Sequence, residues 1–293
     1  MTAVAAVAAT RPRRARRPFR PRVVVPRVVM GVLLAGYALV SLYPFLWMVS
    51  AAFKTREEMI AGTGLIPDNP TFATLADTWS QINFVDYFLN SVRVTAVTTV
   101  LVVIIYSLAA YGFAVLRFPG RDLLYKLFLA LLFVPSVVTL LPIVLLERNL
   151  GILGTHLGLI LPFVNGTAPL AVLLLTNAFS TVPQELRDAA RVDGAGDLRI
   201  FRTVYLPIAR PALITIALLT AIPTWNEYLL SRVSLNDPSR YTLPIGLQAL
   251  QSETVVQYNV LMAGALIVVI PIVLLFLSAQ RYFVNGLVGA VKG

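Results

Sequence analysis

Residues Val182 to Ala212 read VPQELRDAARVDGAGDLRIFRTVYLPIARPA, a polar, arginine-studded stretch between two long apolar segments. The pattern predicts two short helices meeting at a glycine. Pro183 suits a first helical turn, Gly194 a helix end, and Asp197 can cap the helix that follows. Leu186, Ala189 and Ala190 share a face of the first helix at spacings of three and four, as do Leu198, Phe201 and Tyr205 on the second. Both helices therefore have an apolar side, and spacing alone describes an amphipathic hairpin lying on a bilayer surface.

The segments around this loop place it in a membrane protein. Hydrophobic residues make up 58% of the 293 residues and charged ones 13%, with mean hydropathy +0.79, well beyond an ordinary soluble domain. The chain has no cysteine and a lone histidine, His156, which excludes disulfide frameworks, thiolate metal sites and histidine clusters. A net charge of +10 would suit nucleic acid, but the basic residues gather at one end and in alternate loops. That distribution belongs to membrane orientation, and nucleic-acid binding is rejected.

Six segments reach the ~20 residues that cross a bilayer: 28–50, 91–116, 123–146, 157–180, 211–231 and 259–279. Ahead of them, residues 1–27 read as a disordered basic leader, with Arg11, Arg13, Arg14, Arg16, Arg17, Arg20, Arg22 and Arg27 among prolines. A secretory or twin-arginine signal is the alternative, but the following apolar run has spanning length and no clear small-residue cleavage site. Behind them, 280–293 forms a tail. Lys and Arg number about eighteen on the side holding the amino terminus, the 181–210 loop and the tail, against about six on the other. The positive-inside rule puts that richer side, with both termini, in the cytoplasm. Prolines at 44, 135, 142, 162, 169, 223 and 271 predict bent spans that leave cavities, although proline is common in membrane helices generally.

Few residues could carry chemistry. The spans hold almost no ionisable groups near their centres, which leaves a proton-coupled secondary transporter or a membrane enzyme without its signature. Glu227, beside Trp225 and Asn226 near the outer end of the fifth span, reads either as an interfacial anchor or, with Asn226, as a pathway residue. Thr95, Thr98, Thr99, Ser107, Asn165 and Asn177 read as packing groups, and His156 as a solvated or interfacial residue. No Walker-type glycine loop is present, so the chain should not bind ATP.

The run Asp188, Ala189, Ala190, Asp193, Gly194, Ala195, Phe201, Leu206, Pro207 and Pro211 resembles the EAA loop of permease subunits in binding-protein-dependent ABC importers, with Asp188 where the family usually has glutamate. The patch from Ala109 to Ala114 is similar to a family patch ending the second span. Trp225, Asn226 and Glu227, then Tyr241, Thr242, Leu243, Pro244 and Gly246, resemble the carbohydrate branch. Arg281, Tyr282, Phe283, Gly286, Gly289, Lys292 and Gly293 look like the ending of the smaller, maltose-type subunit.

The resemblance implies an all-α membrane protein with six transmembrane helices, like a type I ABC importer permease. Its permease domain would span 28–279 in a bacterial cytoplasmic (inner) membrane. Glu185, Asp188, Ala189, Ala190, Asp193, Gly194, Ala195, Phe201, Leu206 and Pro207 would form the ATPase-coupling loop, seated in a cleft of a cytoplasmic ATPase. It further implies a second permease subunit, two ATPase subunits that use ATP and Mg, and an extracytoplasmic sugar-binding protein. No cofactor or metal is bound directly.

Overall fold

A computed structural model describes residues 21–62, 64–81, 83–250 and 257–291, and among these the secondary structure is helical throughout. In chain order the helices are α1 (Pro21–Ala52), α2 (Arg56–Ala61), α3 (Ala73–Gln81), α4 (Phe84–Val115), α5 (Arg121–Ala130), α6 (Ser136–Asn149), α7 (His156–Ser180) and α8 (Gln184–Val192). They continue with α9 (Asp197–Ile200), a π-helical segment Phe201–Tyr205, α10 (Leu206–Ile208), α11 (Arg210–Trp225), α12 (Leu229–Ser234), α13 (Leu243–Ala249) and α14 (Tyr258–Val291).

Four helices are long and apolar enough to cross a membrane unbroken: residues 28–52 of α1, then α4, α7, and residues 258–278 of α14. Two further crossings come from bent pairs, which gives six if each pair is one span. The expected third span, 123–146, is broken. Its two halves, Arg121–Phe133 and Ser136–Asn149, meet at 104°. Pro135 causes the break: its ring forces Val134 out of the helical region, to φ −85° and ψ 114°. The fifth span also differs from its expected 211–231. It ends at Trp225, just after Pro223, and is bent by 79° from the Asp197–Ile208 segment before it.

The chain divides into two units, one ending at Trp47 and one beginning at Met48. The first consists, among its described residues, of most of α1. Of the leader expected over 1–27, the described part, from Pro21 on, is helix and belongs to α1. Residues 1–20 lie outside the described residues. At the far end α14 continues as helix to Val291, through most of the 280–293 tail.

The second unit is organised by α4 and α7. Their facing sides bury Val94, Val102, Tyr106 and Ala110 on α4 and Leu159, Ala168, Ala171, Val172, Leu175 and Phe179 on α7. The step of four along α4 keeps one stripe inward, and the alanines let the backbones approach closely. Ala110 and Tyr111, from the small-residue patch, lie in this core. Thr95, Thr98 and Ser107 are buried too, as packing predicts, and Ser107 Oγ donates to Ile104 O at 3.1 Å. α11 packs on α4 and α14. Gly246 permits one tight contact, because a Cβ there would lie 2.3 Å from the Tyr87 ring.

Candidate functional site

α8 starts after Pro183, which stands just outside the helix rather than in its first turn. Glu185 in the first turn and Arg191 in the last match the helix dipole. The helix ends where expected. Gly194 takes φ +78°, the Gly194 N–H donates to Arg191 O at 2.9 Å and the Ala195 N–H to Ala190 O at 2.9 Å. These two bonds make a Schellman stop, which satisfies the last carbonyls and is cheap only for a residue that tolerates positive φ.

The cap of the second helix differs from expectation. Gly196 occupies the cap position with φ −73° and ψ 164°, and Asp197 is the first helical residue. The Asp197 carboxylate instead accepts from Arg191 Nη2 at 3.3 Å across the turn, a half-exposed ion pair worth ~0.2–1 kcal/mol.

After Ile200 the chain widens into the π segment, with the Leu206 N–H donating to Phe201 O. Two features loosen the α pattern there. Thr203 Oγ1 donates to Arg199 O at 2.8 Å, and Pro207, which has no N–H, carries a ring that conflicts with the carbonyl four residues back. Phe201 and Tyr205 are consequently both turned inward and buried.

They join Tyr111 from the end of α4 and Phe179 from the end of α7. Tyr111 lies 5.2 Å from Phe201 and 5.1 Å from Tyr205, and Phe179 lies 6.2 Å and 5.8 Å from the same rings. Tyr111 and Phe179 are 6.5 Å apart. Interplanar angles run from 61° to 82°, the edge-to-face geometry aromatic rings prefer, worth ~0.5–1.5 kcal/mol per pair.

This splits the face expected for Leu198, Phe201 and Tyr205. Leu198 is 55% exposed, while the two aromatic residues are core. Phe201 is therefore no surface anchor; it packs into its own bundle. The large apolar residues left outside around the turn are Leu186 (45% exposed), Val192 (88%) and Leu198, with Ile208 (47%) further along the loop; Ala189 and Gly194 are also exposed. Around them Glu185, Asp188, Asp193 and Pro207 lie at the surface, and Ala190, Ala195 and Leu206 are half-buried, packed against the core.

The second candidate region lies at the other end of α11. Asn226 is exposed, closes the helix and turns its Nδ2 back onto Ile222 O at 2.9 Å. Glu227 is half-buried. Its carboxylate accepts from the Leu230 N–H at 2.7 Å, the Ser231 N–H at 3.0 Å and Ser231 Oγ at 2.8 Å, which caps α12. Trp225 does not face a membrane interface; it is buried, and its Nε1 donates to Val268 O at 3.2 Å. His156 opens α7, with Nε2 3.0 Å from Arg240 O. Near Arg240 the Asp237 carboxyl is held below its ordinary range by donors on Ser239, from the backbone N–H at 3.0 Å and the hydroxyl, and then by Arg240.

Glu227, but not Asn226, lines a groove of about 440 Å³ formed by α6, α7, α11 and α12, a size usual for small-molecule sites. Its hydroxyl groups come from Ser136, Thr139, Thr167, Thr220 and Thr224. The four threonines each donate to their own helix, to Ser136 O, Phe163 O, Ile216 O and Thr220 O at 2.7–2.9 Å. From the threonines, what remains for a solute is oxygen lone pairs and methyl groups. Sequence reasoning passed over these residues, although Thr220, Thr224 and Glu227 at steps of four and three carried the signal. It also passed over Phe179 and read Tyr111 only as part of the Ala109–Ala114 patch, because their pairing depends on two helices meeting.

A bundle of apolar helices that keeps an ordered polar hairpin outside and a hydroxyl-lined groove within defines a membrane transport component. The chain belongs to the family of binding-protein-dependent transport system inner membrane components, which matches residues 107–288. It is 35% identical to the trehalose transport system permease protein SugB of Mycobacterium tuberculosis, over 90% of this chain and 96% of that one. To the diacetylchitobiose uptake system permease protein NgcG of Streptomyces coelicolor it is 34% identical, over 86% and 84%. Among solved structures, a chain of a bacterial ABC transporter involved in the import of the acidic polysaccharide alginate superposes with TM-score 0.80 at 26% identity, covering 91% of this chain and 99% of that one. The architecture is that of a type I ABC importer permease.

Proposed function

We propose that the chain is the membrane permease subunit of an ATP-driven sugar importer, paired with a second permease to form the pathway and coupled through the 181–210 loop to a pair of cytoplasmic ATPase subunits. An external sugar-binding protein delivers the substrate. ATP and Mg act on the ATPase subunits, and this chain holds neither. Relatives named for trehalose and diacetylchitobiose support the sugar, and the surplus of Lys and Arg in alternate loops supports cytoplasmic termini.

The observation that carries the coupling role is the trio Leu186, Val192 and Leu198, left exposed on a loop whose turn is closed by backbone hydrogen bonds at Asp193, Gly194 and Ala195. A monomer gains nothing from ordering a loop around uncovered apolar side chains, whereas an apolar cleft in a partner gains from their burial. Glu227 and the threonine-lined groove belong to the pathway in this reading. Asn226 is placed beside it.

The test is co-purification of the genome-neighbouring ATPase with the permease pair. Leu198→Asp should strip the ATPase while leaving the two permeases together; full retention would refute the docking role. Deleting the gene should abolish uptake of a carbohydrate, and loss of peptide, amino-acid or metal uptake in its place would refute the sugar. A reporter fused after Asp188 that reads as external would refute the orientation.

A further inference from the structure

The loop is tied to the rest of the protein in three ways, and they differ in stiffness. Towards α7 the chain passes through Thr181, Val182 and Pro183, outside any helix. Towards α11 it turns by 79° at Ala209. The third tie is the group of four rings, in which Phe201 and Tyr205 from the loop each meet both Tyr111 of α4 and Phe179 of α7.

We propose that Tyr111 and Phe179 are positioning residues that clamp the loop to the α4–α7 pair and carry its displacement into the spans. The proposal rests on the loop docking to the ATPase. Buried rings locked edge to face have no empty space to absorb a shift, so a displaced Phe201 or Tyr205 must push the helices holding the other two. α4 and α7 are in turn packed together from Val94 to Val115 and from Leu159 to Phe179, and α7 carries Thr167 into the groove. The Tyr111 hydroxyl is buried without a hydrogen-bond partner. The ring, and not the hydroxyl, therefore does the coupling, and phenylalanine should replace it.

Because the chain contains no cysteine, single cysteines report cleanly. In the full complex of both permeases, the ATPase pair and the binding protein, Val192→Cys reads docking and Thr167→Cys reads the groove. Each is labelled with a water-soluble thiol reagent, with and without the ATP analogue AMP-PNP, and read on this chain by mass spectrometry. With an intact clamp, Val192→Cys should be shielded by the ATPase and the Thr167→Cys rate should change about tenfold with nucleotide.

Tyr111→Leu and, independently, Phe179→Leu should leave Val192→Cys shielded but shrink the Thr167→Cys response to less than about twofold. Tyr111→Phe should keep both. A Thr167→Cys response that survives both leucine variants, that is lost in Tyr111→Phe, or that never occurs with the intact clamp overturns the proposal. If Val192→Cys is freely labelled with the intact clamp, the docking reading fails first and takes the clamp with it.

Discussion

Two neighbouring parts of one loop solve opposite problems. α8 is nine residues long, has no buried side chain and ends in a glycine stop whose geometry is wholly local. The π segment, seven residues beyond Gly194 along the chain, buries both its aromatic rings among helices from elsewhere in the sequence. The first is shaped by short-range hydrogen bonds and offers its surface outward; the second is shaped by tertiary packing and faces inward. A single motif can therefore hold residues that matter for contact with a partner and residues that matter for the bundle itself, and spacing does not separate them.

The contrast is tested most severely at its inner end. Phe201→Ala should cost about 3–5 kcal/mol, as removal of a buried ring does, and should lower the unfolding temperature of the purified permease pair. If that temperature is unchanged and only ATPase retention falls, Phe201 faces outward after all. Gly194→Ala should cost about 1 kcal/mol for a side chain at φ +78°. Gly194→Arg should carry a similar strain and also abolish co-purification of the ATPase, because the position is exposed.

Leu198→Ala should weaken ATPase association by about 1–2 kcal/mol, roughly tenfold in affinity, with stability unchanged within about 0.5 kcal/mol. A drop in stability comparable to that of Phe201→Ala would erase the distinction between the two regions. The smallest effect belongs to Asp197→Asn, at most about 1 kcal/mol, since its ion pair with Arg191 is half-exposed. High salt should diminish even that.

The long apolar runs could be read directly, because a run that excludes charge over about 20 residues has few alternatives. So could the stop at Gly194, whose cause lies within five residues. What could not be read were features set by three-dimensional partners. Val134 and Pro135 signalled a local constraint, but nothing in the sequence said that the helix would resume 104° away. Asp197 was a sound cap candidate, yet Gly196 took the cap and left its carboxylate to Arg191. Phe201 and Leu198 lie three apart in a turn that keeps the α bond from the Phe201 N–H to Asp197 O, yet only Phe201 packs on the bundle, which spacing alone did not separate. Glu227 was legible as a polar residue at a helix end, but not as the cap of α12, since α12 itself lacked a sequence signal.

The bond from the Trp225 indole to Val268 O has an optical consequence. Of the three tryptophans, Trp79 is exposed and Trp47 is half-buried, whereas Trp225 is buried, with Phe88 edge-on at 5.8 Å and 80°. Its fluorescence should therefore be the component least accessible to aqueous quenchers. Any separation of α11 from α14 would admit water to the indole and shift that emission to the red, so the protein carries an intrinsic spectroscopic gauge of the gap between these two helices, readable without a label.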